Sequence, residues 1–137
     1  MKLEFDVKKY IEEIKKSDEY FHTFINRQNI AAGVLVLEPG EEDTQAPHDA
    51  DELYYVLKGD GFLEINKRNY AISDGMAYYV QKNVPHKFHG NKKQIVALYF
   101  LADLIPSFSA LDFYLAGGYH LDGLDICQML FGQNSLG

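Results

Sequence analysis

Apolar residues near the beginning of the chain recur at the spacing of one helical face, with Lys and Glu on the opposite side. Between Asp6 and Ser17, the apolar side consists of Val7, Tyr10, Ile11 and Ile14. Asp6 is suited to cap the first turn, because its carboxylate can accept a hydrogen bond from a free backbone amide. The pattern predicts a helix that packs against the rest of the fold.

From residue 21 to about residue 100 the pattern changes to short β-type runs, separated by connectors that contain Gly, Pro, Asn or Asp. The runs are Phe21–Asn26, Ile30–Leu37, Leu53–Leu57, Gly61–Ile65, Asn69–Ile72, Met76–Val80, His86–His89 and Gln94–Phe100. Eight short strands without intervening helices indicate an all-β sandwich or small barrel rather than a parallel α/β sheet. Runs that are apolar on both faces need cover from the terminal helices or from a second subunit.

After Pro106 the pattern returns to helix, and it predicts two short segments, at residues 110–116 and 123–131. The expected organisation is therefore an N-terminal helix in residues 1–20, a barrel in residues 21–104 and a helical tail in residues 105–137. The tail is strongly apolar, so we expect it to pack on the barrel.

Composition narrows the function classes. The chain has 137 residues, enough for one domain, and its 13 basic and 20 acidic side chains give a net charge of −7. That balance argues against binding to nucleic acid or to an anionic membrane, because such surfaces need clustered Lys and Arg. One cysteine, Cys127, excludes an internal disulfide, and because no apolar run in the sequence is long enough for a signal peptide or a membrane span, we expect neither. We expect a cytoplasmic protein.

Three side chains are candidates for chemistry: His48 and Glu52, which are separated by three residues, and His86, which is more distant in the sequence. On an antiparallel barrel they can converge inside, because alternate residues of each strand face inward. Two imidazoles and one carboxylate form the facial triad typical of non-heme Fe(II), which also accepts Mn, Ni, Co or Zn. The alternative is a hydrogen-bonded polar network without a metal, in which the buried carboxylate would have to be protonated or paired.

Around these residues the sequence resembles a small single-domain cupin of the conserved-barrel, cupin-2 type. In the first motif, Glu52 is followed after six residues by Gly59, within the run Tyr55-Val56-Leu57-Lys58-Gly59. Gly75 and His86 fall at the matching positions of the second motif, and the resemblance covers roughly residues 30–101. It implies an antiparallel jelly-roll β-barrel, and family members commonly pair as homodimers.

Departures from the family pattern bear on the site. Ala46 stands where the first His of the His-x-His motif is expected, and His48 takes the second position, so a four-ligand site becomes a three-ligand one. Gln81 and Asn83 replace the Pro and Gly of the second motif. Gln45 could lend an amide oxygen, but in a regular strand its side chain would point away from His48.

The resemblance implies that His48, Glu52 and His86 hold a divalent ion (Fe, Mn, Ni, Co or Zn) and that a small anionic or enolic substrate binds in the lumen. The family supports dioxygenases, isomerases, decarboxylases and lyases. Glu52 would be a ligand and an intermittent proton carrier, and Tyr54 would orient a substrate oxygen. The alternatives are a non-catalytic small-molecule binder or sensor with a degenerate metal site, and a purely structural oligomer.

Aromatic side chains are candidates for the wall of the binding site. Tyr54 shares a strand face with Glu52, and Phe88 shares one with His86, so these two are expected at the pocket. Tyr78 and Tyr99 are interpreted as ordinary strand aromatics of the core or of a dimer interface.

Overall fold

The computed structural model describes residues 1–103; the two helices predicted beyond Pro106 lie outside the described residues. Helix α1 spans Val7–Lys15, and Asp6 caps it as predicted, since its carboxylate accepts from the backbone N–H of Lys9 at 3.1 Å. No helix in residues 1–103 has the length and apolar character that crossing a membrane requires.

The eight predicted strands are present in the described part of the chain and pair antiparallel. They are β1 (Phe21–Asn26), β2 (Ile30–Leu37), β3 (Asp51–Lys58), β4 (Phe62–Ile65), β5 (Arg68–Ala71), β6 (Ala77–Val80), β7 (His86–His89) and β8 (Ile95–Ala102). Five of them form a sheet in the order β1-β2-β8-β3-β6, and three form a second sheet in the order β5-β4-β7. The prediction of an antiparallel all-β fold with an N-terminal helix is confirmed.

The main apolar cluster draws side chains from both sheets. Its fully buried members include Leu37 of β2, Tyr54 of β3, Leu63 of β4 and Phe88 of β7. On β3 the buried residues alternate with exposed ones, so one face of the strand points into the core, as the period of a half-buried strand requires. Because of this alternation, the side chains of Glu52 and Tyr54 lie on the same, inward-pointing face of β3.

A second apolar cluster lies under helix α1. Ile14 of the helix is buried against Val34 and Val36 of β2 and Val96 of β8. These are the strands that the sequence marks as apolar on both faces, so the helix provides part of the cover that we expected the termini to supply.

The connection between β2 and β3, residues 38–50, has no regular secondary structure. The buried carboxylate of Asp43 fixes this connection to β1 and β7. The hydroxyl of Tyr20, the residue before β1, donates to it at 3.0 Å, and the backbone N–H of Phe88 in β7 donates to it at 2.8 Å. Since the backbone of this connection does not alternate like a strand, the direction of each of its side chains depends on such tertiary contacts.

Candidate metal centre

Glu52 and His86 come from facing parts of the two sheets. Glu52 is the second residue of β3 and is 3% exposed, and His86 is the first residue of β7, with a side chain that is 2% exposed. Both point inward because each lies on the buried side of its strand's alternation.

His48 precedes β3 and is held near His86 by the loop between β6 and β7. The backbone N–H of Asn83 donates to the carbonyl oxygen of His48 at 2.7 Å. In the same loop, the backbone N–H of Lys82 donates to the carboxylate of Asp51 at 2.9 Å. Asn83 has a left-handed backbone with φ of 63°, which Asn tolerates well, so its replacement of the motif glycine leaves this turn intact.

The three predicted side chains meet. The Nε2 atom of His86 lies 2.8 Å from Oε1 of Glu52, and Nε2 of His48 lies 3.6 Å from the same oxygen. One potential ligand atom from each residue lies within 4.8 Å of those of the other two. His48 is the most open of the three, with about a third of its side chain exposed (32%).

The tautomer of His86 leaves its Nε2 available. The carbonyl oxygen of Val84 lies 2.8 Å from Nδ1, and since a carbonyl only accepts, the ring hydrogen of neutral His86 is on Nδ1. The lone pair of Nε2 therefore faces the Glu52 carboxylate. Within residues 1–103, neither Nε2 of His86 nor Oε1 of Glu52 has a hydrogen-bond partner of acceptable geometry, although both atoms are buried.

Two acceptor atoms at 2.8 Å repel each other unless a proton or a cation is bound to them. Burial lowers the pKa of His86, but the Glu52 carboxylate and the Val84 carbonyl raise it by more, so its pKa lies above 6.5. A proton and a metal ion would therefore compete for this nitrogen, and an ion that binds the protonated imidazole would release its proton.

The donor set fits a divalent transition metal. Ligand atoms that bind an ion at about 2.1 Å, at angles between 90° and tetrahedral, lie about 3.0 to 3.4 Å from one another. The separations of 2.8 and 3.6 Å around Glu52 bracket that range. The contact between His86 and Val84 is the kind of outer hydrogen bond that orients a metal-binding imidazole.

Gln45 also reaches this cluster, contrary to the sequence-based expectation. Its Oε1 lies 3.2 Å from Nε2 of His48 and accepts the hydroxyl hydrogen of Tyr54 at 2.8 Å. The expectation that Gln45 points away assumed a regular strand, and residues 41–48 are not part of one. No periodic signal in the sequence could have revealed this direction.

A cavity of about 390 Å³ opens beside the cluster. More than half of its described lining is apolar or aromatic, and the rest is polar or charged. The lining residues are Glu19, Tyr20, Phe21, Thr23, Leu35, Thr44, Gln45, Ala46, Pro47, His48, Glu52, Tyr54, Tyr99 and Leu101. This volume and this balance of apolar and polar groups are typical of a small-molecule site.

Tyr54 lines the cavity as expected, and its hydroxyl stays protonated. Burial, followed by the charge of Glu52, raises the pKa of Tyr54 well above 10.0. Its hydrogen is committed to Gln45, so an incoming molecule would find an acceptor oxygen there. Phe88, the other expected wall residue, lies in the core and packs edge-on against Tyr54, with ring centroids 4.9 Å apart.

Tyr99 belongs to the main buried cluster, which agrees with its interpretation as a core strand aromatic, and it also lines the cavity, which was not expected. Its hydroxyl lies 2.6 Å from that of Thr23, across the sheet. Gly33 pairs with Tyr99 in the register of β2 and β8, and a Cβ at Gly33 would overlap the Tyr99 hydroxyl. The glycine in an otherwise apolar run was the available signal. Tyr78, by contrast, donates to the carbonyl oxygen of Ala71.

Comparison with known proteins agrees with this architecture. Residues 33–102 match the family model described as "Cupin domain". An uncharacterized protein of Streptomyces coelicolor is 32% identical over 73 residues, which cover 53% of this chain and 70% of that protein.

Among solved structures, a Cupin 2 conserved barrel domain protein from Leptotrichia buccalis superposes with a TM-score of 0.57 at 18% identity, covering 61% of this chain and 40% of that one. The DMSP lyase DddQ from Ruegeria pomeroyi superposes with a TM-score of 0.56 at 17% identity, covering 64% of this chain and 48% of that one. At these identities the likeness concerns the fold.

Proposed function

From the premise that this chain belongs to the cupin domain family, we propose that His48, Glu52 and His86 hold one divalent transition-metal ion beside a cavity that binds a small molecule. A bound ion would supply Lewis acidity to an oxygen of that molecule. The proposal rests above all on one observation, the buried Nε2 of His86 and Oε1 of Glu52 held 2.8 Å apart without a hydrogen-bond partner among residues 1–103.

The phenols of the cavity take part as hydrogen-bonding groups. Burial raises the pKa of Tyr20, Tyr54 and Tyr99, so all three remain protonated at neutral pH and none of them is a general base. We propose the ligand carboxylate of Glu52 as the proton carrier and Tyr54 as the group that orients a substrate oxygen.

The lining narrows the class of small molecule. None of the cavity's described residues is Lys or Arg. The proposed ion could take one anionic oxygen, but any further carboxylate or phosphate charge would find no permanently charged side chain in this lining and would face Glu19 and Glu52. We therefore propose a neutral or weakly acidic molecule, such as an enol or a phenol, with an apolar body.

Reactions of the dioxygenase, isomerase or lyase type are compatible with an oxygen-bearing substrate bound next to an open metal position. Three protein ligands leave such positions free. A homodimer and a cytoplasmic location remain predictions from the sequence.

Total-metal analysis of protein purified without chelator tests the proposal. We expect close to one divalent ion per chain in the wild type and little in His48→Ala or His86→Ala. His89→Ala is a matched control, because His89 is on the same strand as His86 but contacts Asn69 through its Nε2 at 2.8 Å. It should keep the metal.

A wild-type protein that holds no metal, and takes up none when Fe, Mn, Co, Ni and Zn ions are supplied, would contradict the metal site. If that metal-free protein were nevertheless stabilised against heat by an enol or phenol, the alternative of a non-catalytic binder would apply.

A further inference from the structure

We infer that the side-chain carbonyl oxygen of Gln45, Oε1, is a fourth protein ligand of the metal. It would replace the histidine that the family motif has at position 46, where this chain has Ala46. This inference rests on the proposed metal site and adds one residue to it. It is carried by the orientation of the Gln45 amide and by its distance from His48.

Asp43 determines which end of the Gln45 amide faces the cluster. The Nε2 atom of Gln45 lies 2.7 Å from Oδ2 of Asp43. The carboxylate of Asp43 already accepts from Tyr20 and from the backbone N–H of Phe88, so it acts as an acceptor and requires the NH₂ end of the amide. Oε1 of Gln45 must therefore point away from Asp43, towards His48 and Tyr54.

The oxygen of Gln45 has one acceptor position left. A carbonyl oxygen has two lone pairs, and the hydroxyl of Tyr54 takes one of them at 2.8 Å. The same oxygen lies 3.2 Å from Nε2 of His48, within the separation of about 3.0 to 3.4 Å expected for two atoms bound to one ion. The hydrogen bond to the negatively charged Asp43 also polarises the amide and makes its oxygen a better donor to a cation.

A competing interpretation is that Gln45 only accepts a hydrogen bond from His48. In that case Nε2 of His48 would carry the ring hydrogen and could not bind a metal. The two interpretations make opposite predictions for the amide of Gln45 when a metal is added, because only direct ligation perturbs its carbonyl group strongly.

The first part of the test is zinc affinity, measured on the full chain by competition with a chelator. We expect Gln45→Ala to bind zinc at least about tenfold more weakly than the wild type. Gln28→Ala is the matched control, since Gln28 is exposed in the turn between β1 and β2, and it should bind like the wild type.

The second part needs no variant. Zinc is diamagnetic, so the side-chain ¹³C and ¹⁵N resonances of Gln45 can be followed in the wild type during a zinc titration. We expect the carbonyl resonance of Gln45 to move downfield and saturate at one zinc per chain, while that of Gln28 stays in place.

The outcomes separate this inference from the proposed function. A wild type that binds one zinc while the carbonyl resonance of Gln45 stays unmoved, or a Gln45→Ala variant of unchanged affinity, overturns the inference alone. A wild type that binds no zinc or any other divalent ion overturns the proposed function and the fourth ligand with it.

Discussion

Among residues 1–103, the side chains of two carboxylate residues are buried, and their hydrogen bonding differs. Asp43, 7% exposed, accepts from the hydroxyl of Tyr20, the amide of Gln45 and the backbone N–H of Phe88. Glu52, 3% exposed, faces two imidazoles, and its Oε1 has no hydrogen-bond partner of acceptable geometry in residues 1–103. In the described part of the chain, the carboxylate of Asp43 has its hydrogen-bond donors, whereas Oε1 of Glu52 has none.

The difference assigns different roles to the two residues. An ionised carboxylate that accepts several hydrogen bonds fixes the groups around it, so Asp43 anchors residues 38–50 to the strands. A buried carboxylate oxygen without a hydrogen-bond donor costs folding free energy unless a proton or a cation binds it. Glu52 is therefore suited to bind a ligand. Gln45 links the two, because its amide contacts Asp43 at one end and the His48 side of the cluster at the other.

The largest effect on folding is expected from Asp43→Ala. Removing this acceptor leaves the buried N–H of Phe88 without a partner and takes away the acceptor of the partly buried Gln45 side-chain amide, so metal-free protein should lose about 3 kcal/mol of unfolding free energy. Urea denaturation measures the loss. Asp49→Ala, at an exposed position nearby, is the control and should change stability by less than about 0.5 kcal/mol. Equal effects of the two variants would show that Asp43 does not anchor the connection.

A smaller effect is expected from Tyr20→Phe. This change removes one of the donors to Asp43 and keeps the ring, so the loss should be about 1 kcal/mol by the same denaturation experiment. Affinity for a divalent ion should stay within about twofold of the wild type, because Tyr20 contacts Asp43 and not the cluster. A large loss of metal affinity would mean that the hydrogen bond from Tyr20 to Asp43 affects metal binding at Glu52, although the two carboxylates have different contacts.

The Glu52 side of this contrast was accessible from the sequence, and the Asp43 side has an identifiable reason for being missed. The period of two along β3 and β7 placed Glu52 and His86 on inward faces, and the motif spacing singled out His48. Asp43 and Gln45 lie in a connection without periodicity, where tertiary hydrogen bonds decide the direction of a side chain.

The place of Tyr99 in the cavity wall was missed for a different reason. Its strand is apolar on both faces, so alternation could not tell which side it takes, and the cross-strand partner Gly33 becomes informative only once the register is known. The roles of Glu52 and Tyr54 in catalysis stay predictions.

The smallest effect on folding is expected from Glu52→Gln. The amide group of glutamine can donate to the free Nε2 of His86, so the metal-free variant should unfold within about 1 kcal/mol of the wild type, or slightly above it. Its effect on metal binding should be the opposite, since a neutral amide replaces the only carboxylate of the cluster.

The most direct test is therefore a titration of metal-free wild type and Glu52→Gln with Fe(II), Mn(II) or Zn(II), followed by thermal unfolding of each sample. We predict one ion bound per wild-type chain with a rise in unfolding temperature, and at least about hundredfold weaker binding with no such rise in the variant. A variant that binds the ion and is stabilised like the wild type would contradict the account, because the carboxylate of Glu52 would then not be a metal ligand.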